Sequence, residues 1–182
     1  SMKQVAINGF GRIGRNVVRA LIESPRDDFR IVAINDLAPA DTAALLLELD
    51  STHGRLACPV SHGDDFLEVD GHRIAYMSHR DPEACAWADR GIDLVMECTG
   101  IFTSAEAARR HLDAGAGRVL VSAPSSGADA TIVYGVNHDS LTPDMRIISN
   151  ASCTTNCLAP VAAALQESCG INQGFMTTIH AV

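Results

Sequence analysis

The chain has 182 residues, enough for one domain or for one domain and part of a second. Apolar residues make up 47% and charged residues 20%, a globular mixture that excludes a disordered tail, a collagen or a coiled coil. The formal net charge of −8 is opposite to that of most nucleic-acid binders, so we expect no nucleic-acid partner. No apolar run approaches the ~18–20 residues of a bilayer span, and we expect no membrane association and no secretory leader.

The first 36 residues predict a parallel βαβ unit. A short apolar run covers residues 5–7, apolar residues recur at helical spacing from 13 to 22, and a β-branched run covers 31–34. A glycine-rich turn separates the first run from the helical pattern, which stops at Ser24 and Pro25. Two strands joined through a helix lie parallel in one sheet.

The rest of the chain continues the alternation of helices and strands, with one interruption. Residues 40–49 predict a helix, and the runs at 66–69 and 72–74 flank Asp70-Gly71, a hairpin turn that indicates an antiparallel insertion. We then predict strands at 94–96, 119–121, 131–134, 146–148 and 175–181, and helices at 104–114, capped by Ser104, and 154–168. The fold class is therefore α/β, with a doubly wound, mainly parallel sheet.

A G-x-G-x-x-G pattern lies between the first strand and the first helix. Gly9 permits a tight turn, Gly11 allows the backbone to approach a pyrophosphate, and Gly14 lets the helix pack against the strand. Asp36 ends the second strand, 22 residues after Gly14, where a carboxylate accepts the ribose hydroxyls and repels a 2′-phosphate. The pattern predicts a Rossmann-type site for NAD rather than NADP; the alternative is a plain turn in which Asp36 caps a loop.

Six cysteines without a C-x-x-C pair indicate reduced thiols and a cytoplasmic protein. Cys153 lies where a strand gives way to a helix, and a helix N-terminus stabilises a thiolate. We predict that Cys153 is the reactive thiol and that Cys157, one turn further on, lies in the core or supports the site. The other four are predicted to be small buried apolar residues: Cys58, Cys85, Cys98 and Cys169. No His or acid near Cys153 and Cys157 completes a metal site, so we expect no metal.

His180 lies on the last predicted strand. A nucleophilic cysteine needs a base to take its proton, and imidazole serves as both base and acid near neutral pH. Taken alone, a single His in a strand is more often structural, and the sequence does not show that His180 meets Cys153.

Two segments carry a resemblance to a known family. Residues 8–15 read Asn-Gly-Phe-Gly-Arg-Ile-Gly-Arg, residues 151–160 read Ala-Ser-Cys-Thr-Thr-Asn-Cys-Leu-Ala-Pro, and both resemble the phosphorylating glyceraldehyde-3-phosphate dehydrogenases. Further similar segments follow in the family's order at residues 50–55, 80–82, 97–103, 135–138 and 177–180. The erythrose-4-phosphate dehydrogenases share most of these motifs and stay open as an alternative.

The resemblance implies a role for each matched position. Cys153 would attack the aldehyde carbon, and His180 would activate the thiol. The expected NAD-site residues are Asn8, Gly9, Phe10, Gly11, Arg12, Ile13, Asp36, Arg80, Thr99, Gly100 and Ser122. Ser152 and Thr154 match positions that help to hold inorganic phosphate, although turn chemistry and helix capping also suit them. The implied partners are a sugar-phosphate aldehyde and phosphate, and the implied assembly of the full-length protein is a homotetramer.

The resemblance also implies a division of the chain. Family subunits are nearly twice as long, so we expect an NAD-binding domain over residues 1–150 and the opening helix and strand of an α+β catalytic domain over 151–182. Many family members carry a Lys soon after the motif at residues 122–124, where this chain has Ser125 and Ser126. Three interpretations stay open: an enzyme half, an NAD-binding module without catalysis, and a structural fragment.

Overall fold

A computed structural model describes residues 2–180 of the chain. Nine of its strands form one sheet in the order β10-β11-β9-β8-β1-β2-β7-β6-β5. The sheet strands are β1 Lys3–Asn8, β2 Phe29–Asn35, β5 Val60–His62, β6 Phe66–Val69, β7 His72–Met77, β8 Leu94–Glu97, β9 Arg118–Val121, β10 Ala130–Thr131 and β11 Ile147–Ser149. Two further short strands, β3 Leu49–Asp50 and β4 Gly54–Arg55, pair with each other. The α-helices are α1 Arg12–Glu23, α2 Ala40–Glu48, α3 Ala105–Asp113 and α4 Cys153–Ser168, and 3-10 turns cover Pro82–Cys85, Trp87–Arg90 and His138–Ser140.

The predicted doubly wound α/β fold is confirmed. The sheet is parallel from β10 to β7, and β6 and β5 extend it as two antiparallel strands at the edge. Ile7 and Ile34 pack on one face with α1 and α2, whereas their neighbours Ala6 and Ala33 pack on the other face with Trp87. Since successive residues of a strand point to opposite faces, these two clusters show helical or turn structure on both sides of the sheet.

The strand order reverses direction at β1. The chain passes from β1 through α1 to β2 on one side, and β8 later pairs with the other side of β1. In open α/β sheets, ligands bind beyond the carboxyl ends of the strands at such a switch point. The fold therefore directs attention to the residues that follow β1, β2 and β8.

The hairpin forms at the predicted turn. Asp70 and Gly71 adopt left-handed backbone angles, with φ of 52° and 75°, as a tight two-residue turn requires. The hairpin gains a third strand, β5, that the sequence pattern did not predict, and the strand predicted over 131–134 is reduced to Ala130–Thr131.

The predicted strand over residues 175–181 is not present in the part that the structure describes. Residues 171–180 form no regular structure, Phe175 and Ile179 are exposed, and residue 181 lies outside the described residues. A strand needs a hydrogen-bonding neighbour, and no strand within residues 2–180 pairs with this segment. Helix α4 forms as predicted, although none of its residues is buried.

None of the helices formed by residues 2–180 has the length and apolar character that crossing a bilayer requires.

Candidate functional site

The carboxyl ends of three neighbouring strands are tied together by buried side chains. The register places Asn8 of β1 beside Asn35 of β2 on one side and beside Glu97 of β8 on the other. Asn8 Nδ2 donates to Glu97 Oε2 at 2.6 Å, and Asn35 Nδ2 donates to Asn8 Oδ1 at 2.7 Å. Because all three residues are buried, these bonds fix the relative heights of the strand ends at the switch point.

The turn after β1 leads into the uncapped start of α1. Gly9 has a φ of 92°, and a side chain on Gly14 would lie 2.3 Å from the Gly9 carbonyl oxygen, so both positions require glycine. Helix α1 has no side-chain cap and no acidic residue in its first turn, which leaves its first N–H groups available to a ligand. A Cβ built on Gly11 meets no atom within 4 Å, so the space above the turn is open. A cofactor pyrophosphate fits this arrangement.

Asp36 follows β2 directly and lies against the same turn. Its Oδ2 accepts a hydrogen bond from the Phe10 backbone N–H at 2.6 Å, and its Oδ1 accepts one from Ala38 N–H at 2.8 Å. Tyr76 Oη fixes the loop that follows Asp36 by donating a hydrogen bond to the Ala38 carbonyl oxygen at 2.8 Å. Burial and, to a smaller extent, the Asp36 charge raise the pKa of Tyr76, so the phenol stays a donor at neutral pH. The carboxylate keeps lone pairs for two ribose hydroxyls.

Thr99, Gly100 and Ser122 lie at the ends of β8 and β9. Thr99 donates from both its N–H, at 2.9 Å, and its hydroxyl to Glu97 Oε1. Gly100 adopts a φ of 73°, and Ser122 N–H donates to the Glu97 carbonyl oxygen at 3.0 Å. These three predicted residues thus share the strand-end edge with Asn8.

The two predicted arginines lie at the rim of this edge. Arg12 donates to the carboxylate of Asp50 from both terminal guanidinium nitrogens, Nη1 and Nη2, at 2.9 and 3.3 Å. Backbone N–H groups of His53 and Thr52, followed by Arg12, hold the pKa of Asp50 well below its usual range. Arg80 is exposed, and the loop before it is fixed because Asn35 exchanges two hydrogen bonds with the His79 backbone. Ile13 is exposed and Phe10 is buried.

Cys153 is the first residue of α4 and its thiol is exposed. Ser152 caps the helix, because its Oγ accepts a hydrogen bond from Thr155 N–H at 3.0 Å. Cys153 Sγ lies 3.9 Å from the hydroxyl oxygen of Thr154. Asn156 Nδ2 ties the first turn to the preceding loop by donating to the carbonyl oxygens of Asn150 and Ser152. The thiol is therefore presented at a fixed helix N-terminus.

His180 is exposed, and within residues 2–180 no hydrogen bond joins it to Cys153 or to another residue. The structure thus gathers most of the predicted cofactor residues at one sheet edge and does not bring the predicted base to the thiol.

Two of the predictions for the other cysteines were wrong. Cys157 lies on α4, which has no buried residue, and Cys169 directly follows that helix. Both are exposed, and Cys169 Sγ donates to the Leu165 carbonyl oxygen. Cys85 is buried as predicted, and Cys58 and Cys98 are partly buried against the core. Burial raises the pKa of Cys85 to about 12 and that of Cys98 to about 11.

Three buried residues were not predicted from the sequence: Asn35 and Glu97 at the strand-end edge, and His111, which contacts Glu97. His111 of α3 is fully buried, and its Nε2 lies 2.6 Å from Glu97 Oε2. Two signals were available, because Glu97 is an acid at the end of an apolar strand and His111 shares a helix face with Ala105 and Ala108.

Comparison with known proteins agrees with this geometry. Residues 3–105 match the family model described as "Glyceraldehyde 3-phosphate dehydrogenase, NAD binding domain", and residues 152–182 match the C-terminal domain of the same family. The chain is 59% identical over 177 residues to glyceraldehyde-3-phosphate dehydrogenase of Cereibacter sphaeroides, covering 97% of this chain and 53% of the relative. The glyceraldehyde-3-phosphate dehydrogenase of Xanthobacter flavus is 57% identical, covering 98% of this chain and 53% of the relative. That of Geobacillus stearothermophilus is 53% identical, covering 97% of this chain and 52% of the relative.

The chain therefore spans about half the length of the curated relatives it matches. The predicted boundary after residue 150 stays a prediction, since the two matched ranges leave residues 106–151 between them.

We predict that sub-stoichiometric iodoacetamide labels Cys153 before the other five thiols. Alkylation requires the thiolate, and with a pKa of about 11 only about one thousandth of Cys98 is ionised at pH 8. Cys157 and Cys169 are exposed but lie away from the helix start. Peptide mapping after limited labelling measures the order, with urea-unfolded protein as the control in which all six thiols react. Earlier labelling of Cys157 or Cys169 would contradict the assignment.

Proposed function

Because the chain belongs to the glyceraldehyde 3-phosphate dehydrogenase family, we propose that it provides the cofactor-binding half of an enzyme oxidising glyceraldehyde 3-phosphate. The chain has the family's NAD-binding domain, and the predicted cofactor, NAD, is confirmed. The proposed product, formed with inorganic phosphate, is 1,3-bisphosphoglycerate. The observation that carries the proposal is the uncapped start of α1 beside the Asp36 carboxylate, at the switch point of the sheet.

Each part of the edge has a proposed role in holding NAD. The N–H groups at the start of α1, those of the N-cap residue Gly11 and of Arg12 and Ile13, receive the pyrophosphate. Asp36 accepts the hydroxyls of the adenosine ribose, and Arg80 borders the adenine. Asn8, Gly9 and Phe10 form the floor, and Thr99, Gly100 and Ser122 border the other end of the cofactor. When bound, NAD supplies the hydride acceptor.

The proposed chemistry begins at Cys153. Its thiolate adds to the aldehyde carbon to form a thiohemiacetal, with His180 taking the thiol proton and then hydrogen-bonding the oxyanion. Loss of hydride from that carbon leaves a thioester on the sulfur. Phosphate, held by Ser152 and Thr154, attacks the thioester carbon, so the acyl phosphate leaves and the thiolate returns. The exposed thiol at the capped start of α4 supports this assignment.

We further propose that the 182-residue chain alone does not sustain this reaction. No residue of α4 is buried, and within residues 2–180 the imidazole of His180 makes no hydrogen bond to the thiol. The reacting groups are therefore present without the packing that would fix their separation, and correct positioning contributes ~7–11 kcal/mol of barrier reduction. By this proposal, the 182-residue chain alone is an NAD-binding module.

The assembly and the compartment belong to the same proposal. We place the full-length enzyme in the cytoplasm as a homotetramer, acting on a sugar-phosphate aldehyde and phosphate. The cysteines of the described residues are all free thiols, which agrees with a reducing compartment.

We predict that Asp36→Asn weakens NAD binding and narrows the preference for NAD over NADP by about tenfold, or ~1.4 kcal/mol. The substitution removes the charge that repels a 2′-phosphate, while its amide oxygen still accepts one of the two backbone N–H groups. Calorimetric titration with each cofactor measures both affinities. Asp41→Asn, which removes a nearby charge at the start of α2, should leave the preference unchanged. Equal affinities for NAD and NADP in the unmutated chain would refute the proposal.

The absence of turnover is tested by NADH formation with glyceraldehyde 3-phosphate, NAD and phosphate, beside the full-length relative from Cereibacter sphaeroides. We expect the chain to be at least about a thousandfold slower, ~4 kcal/mol in barrier height. Erythrose 4-phosphate in a parallel assay tests the alternative substrate. Turnover within about tenfold of the relative would show that the chain positions the reacting groups by itself.

A further inference from the structure

The buried carboxylate of Glu97 lies at the strand-end edge, and among residues 2–180 no Lys or Arg pairs with it. Its Oε1 accepts hydrogen bonds from the N–H and the hydroxyl of Thr99, and its Oε2 accepts one from Asn8. The fourth contact, at 2.6 Å, is to His111 Nε2. Glu97 is 1% exposed and His111 is fully buried, so both side chains are shielded from bulk solvent.

The far side of the imidazole fixes its tautomer. Trp87 Nε1 lies 3.0 Å from His111 Nδ1, and an indole nitrogen only donates. Nδ1 therefore accepts, the ring proton lies on Nε2, and that proton points to Glu97. All four contacts of Glu97 are therefore with donors, two from Thr99 on Oε1 and one each from Asn8 and His111 on Oε2.

We propose that Glu97 is a positioning residue of the NAD site, acting through Thr99 on one oxygen and through Asn8 on the other. Both contacted residues are among those that we propose to border NAD, and the inference rests on that proposed function. Asn8 in turn accepts a hydrogen bond from Asn35 and so fixes the end of β2. Asp36, which is proposed to bind the adenosine ribose, directly follows that strand. A single carboxylate thus sets the relative positions of three strand ends.

Glutamine cannot replace this carboxylate without leaving a donor unpaired. An amide has one accepting oxygen, and its NH₂ group would face either the two donors of Thr99 or those of Asn8 and His111. Turning the His111 proton to Nδ1 would in turn oppose the Trp87 N–H. Glu97→Gln therefore releases one side of the site while nearly preserving side-chain volume.

The test compares Glu97→Gln with Trp87→Phe in the 182-residue chain. We expect Glu97→Gln to weaken NAD binding about tenfold by calorimetry and to move the backbone N–H resonance of Thr99 in ¹⁵N–¹H spectra. Trp87→Phe removes the indole donor but leaves the His111 to Glu97 contact, so its NAD affinity should stay within about twofold even if it unfolds more easily. A folded Glu97→Gln chain with unchanged NAD affinity would overturn the proposal.

If Glu97→Gln does not fold, NMR spectra of the unmutated chain test the positioning role of Glu97. His111 must show a proton on Nε2 and none on Nδ1, and NAD must shift the side-chain amide of Asn8. A proton on Nδ1, or an Asn8 amide unmoved by bound NAD, would refute the positioning role. Failure of the unmutated chain to bind NAD would instead overturn the proposed function. In that case the positioning role would be tested by the His111 tautomer in the unmutated chain and by the shift of the Thr99 resonance in Glu97→Gln.

Discussion

The hydrogen bond between Asn8 and Glu97 is the constraint on which the rest of the site depends. It joins the two strands between which the sheet changes direction, and Asn35 extends the same row to β2. A buried polar group left unpaired costs about 1–3 kcal/mol, so slippage of neighbouring strands, which would break these hydrogen bonds, is unfavourable. A turn placed after β1 and a carboxylate placed after β2 then meet at a fixed distance, as the contact between Asp36 and Phe10 N–H shows.

The two parts of the chain differ in how completely their groups are held. The chain up to Ser149 is built around a sheet with buried residues on both faces, and the residues proposed to hold NAD lie along one edge of it. Helix α4 presents Cys153 from a capped first turn but has no buried residue. This contrast agrees with the proposal that the chain binds NAD through its strand-end edge, and that the surroundings which Cys153 would need for catalysis are not assembled within residues 2–180. Cofactor binding and catalysis are therefore separable properties, each with its own experiment.

Local sequence pattern was enough to predict the βαβ unit, the turn at Gly9 and the hairpin at Asp70, because glycine placement and apolar spacing act within a few residues. Contacts between distant elements were not predictable in this way. The pairing of Glu97 with His111 joins a strand end to a helix 14 residues later, and neither residue signals its partner. The apolar run at 175–181 has the composition of a strand, yet pairing decides whether a strand forms, and its described residues pair with no strand. The exposure of Cys157 and Cys169 has the same origin, since burial depends on neighbouring elements rather than on residue type.

The most direct test of this account is titration of the ¹⁵N-labelled chain with NAD while backbone resonances are followed. The shifts should concentrate at one edge, comprising residues 8–13, 36–38, 99–100 and 122, and residues 60–74 should stay unperturbed. Saturable shifts confined to that edge would establish that the strand ends of β1, β2 and β8 form the cofactor site. Shifts centred instead on the cleft lined by Val18, Phe29 and Arg73, or no shifts at millimolar NAD, would contradict it.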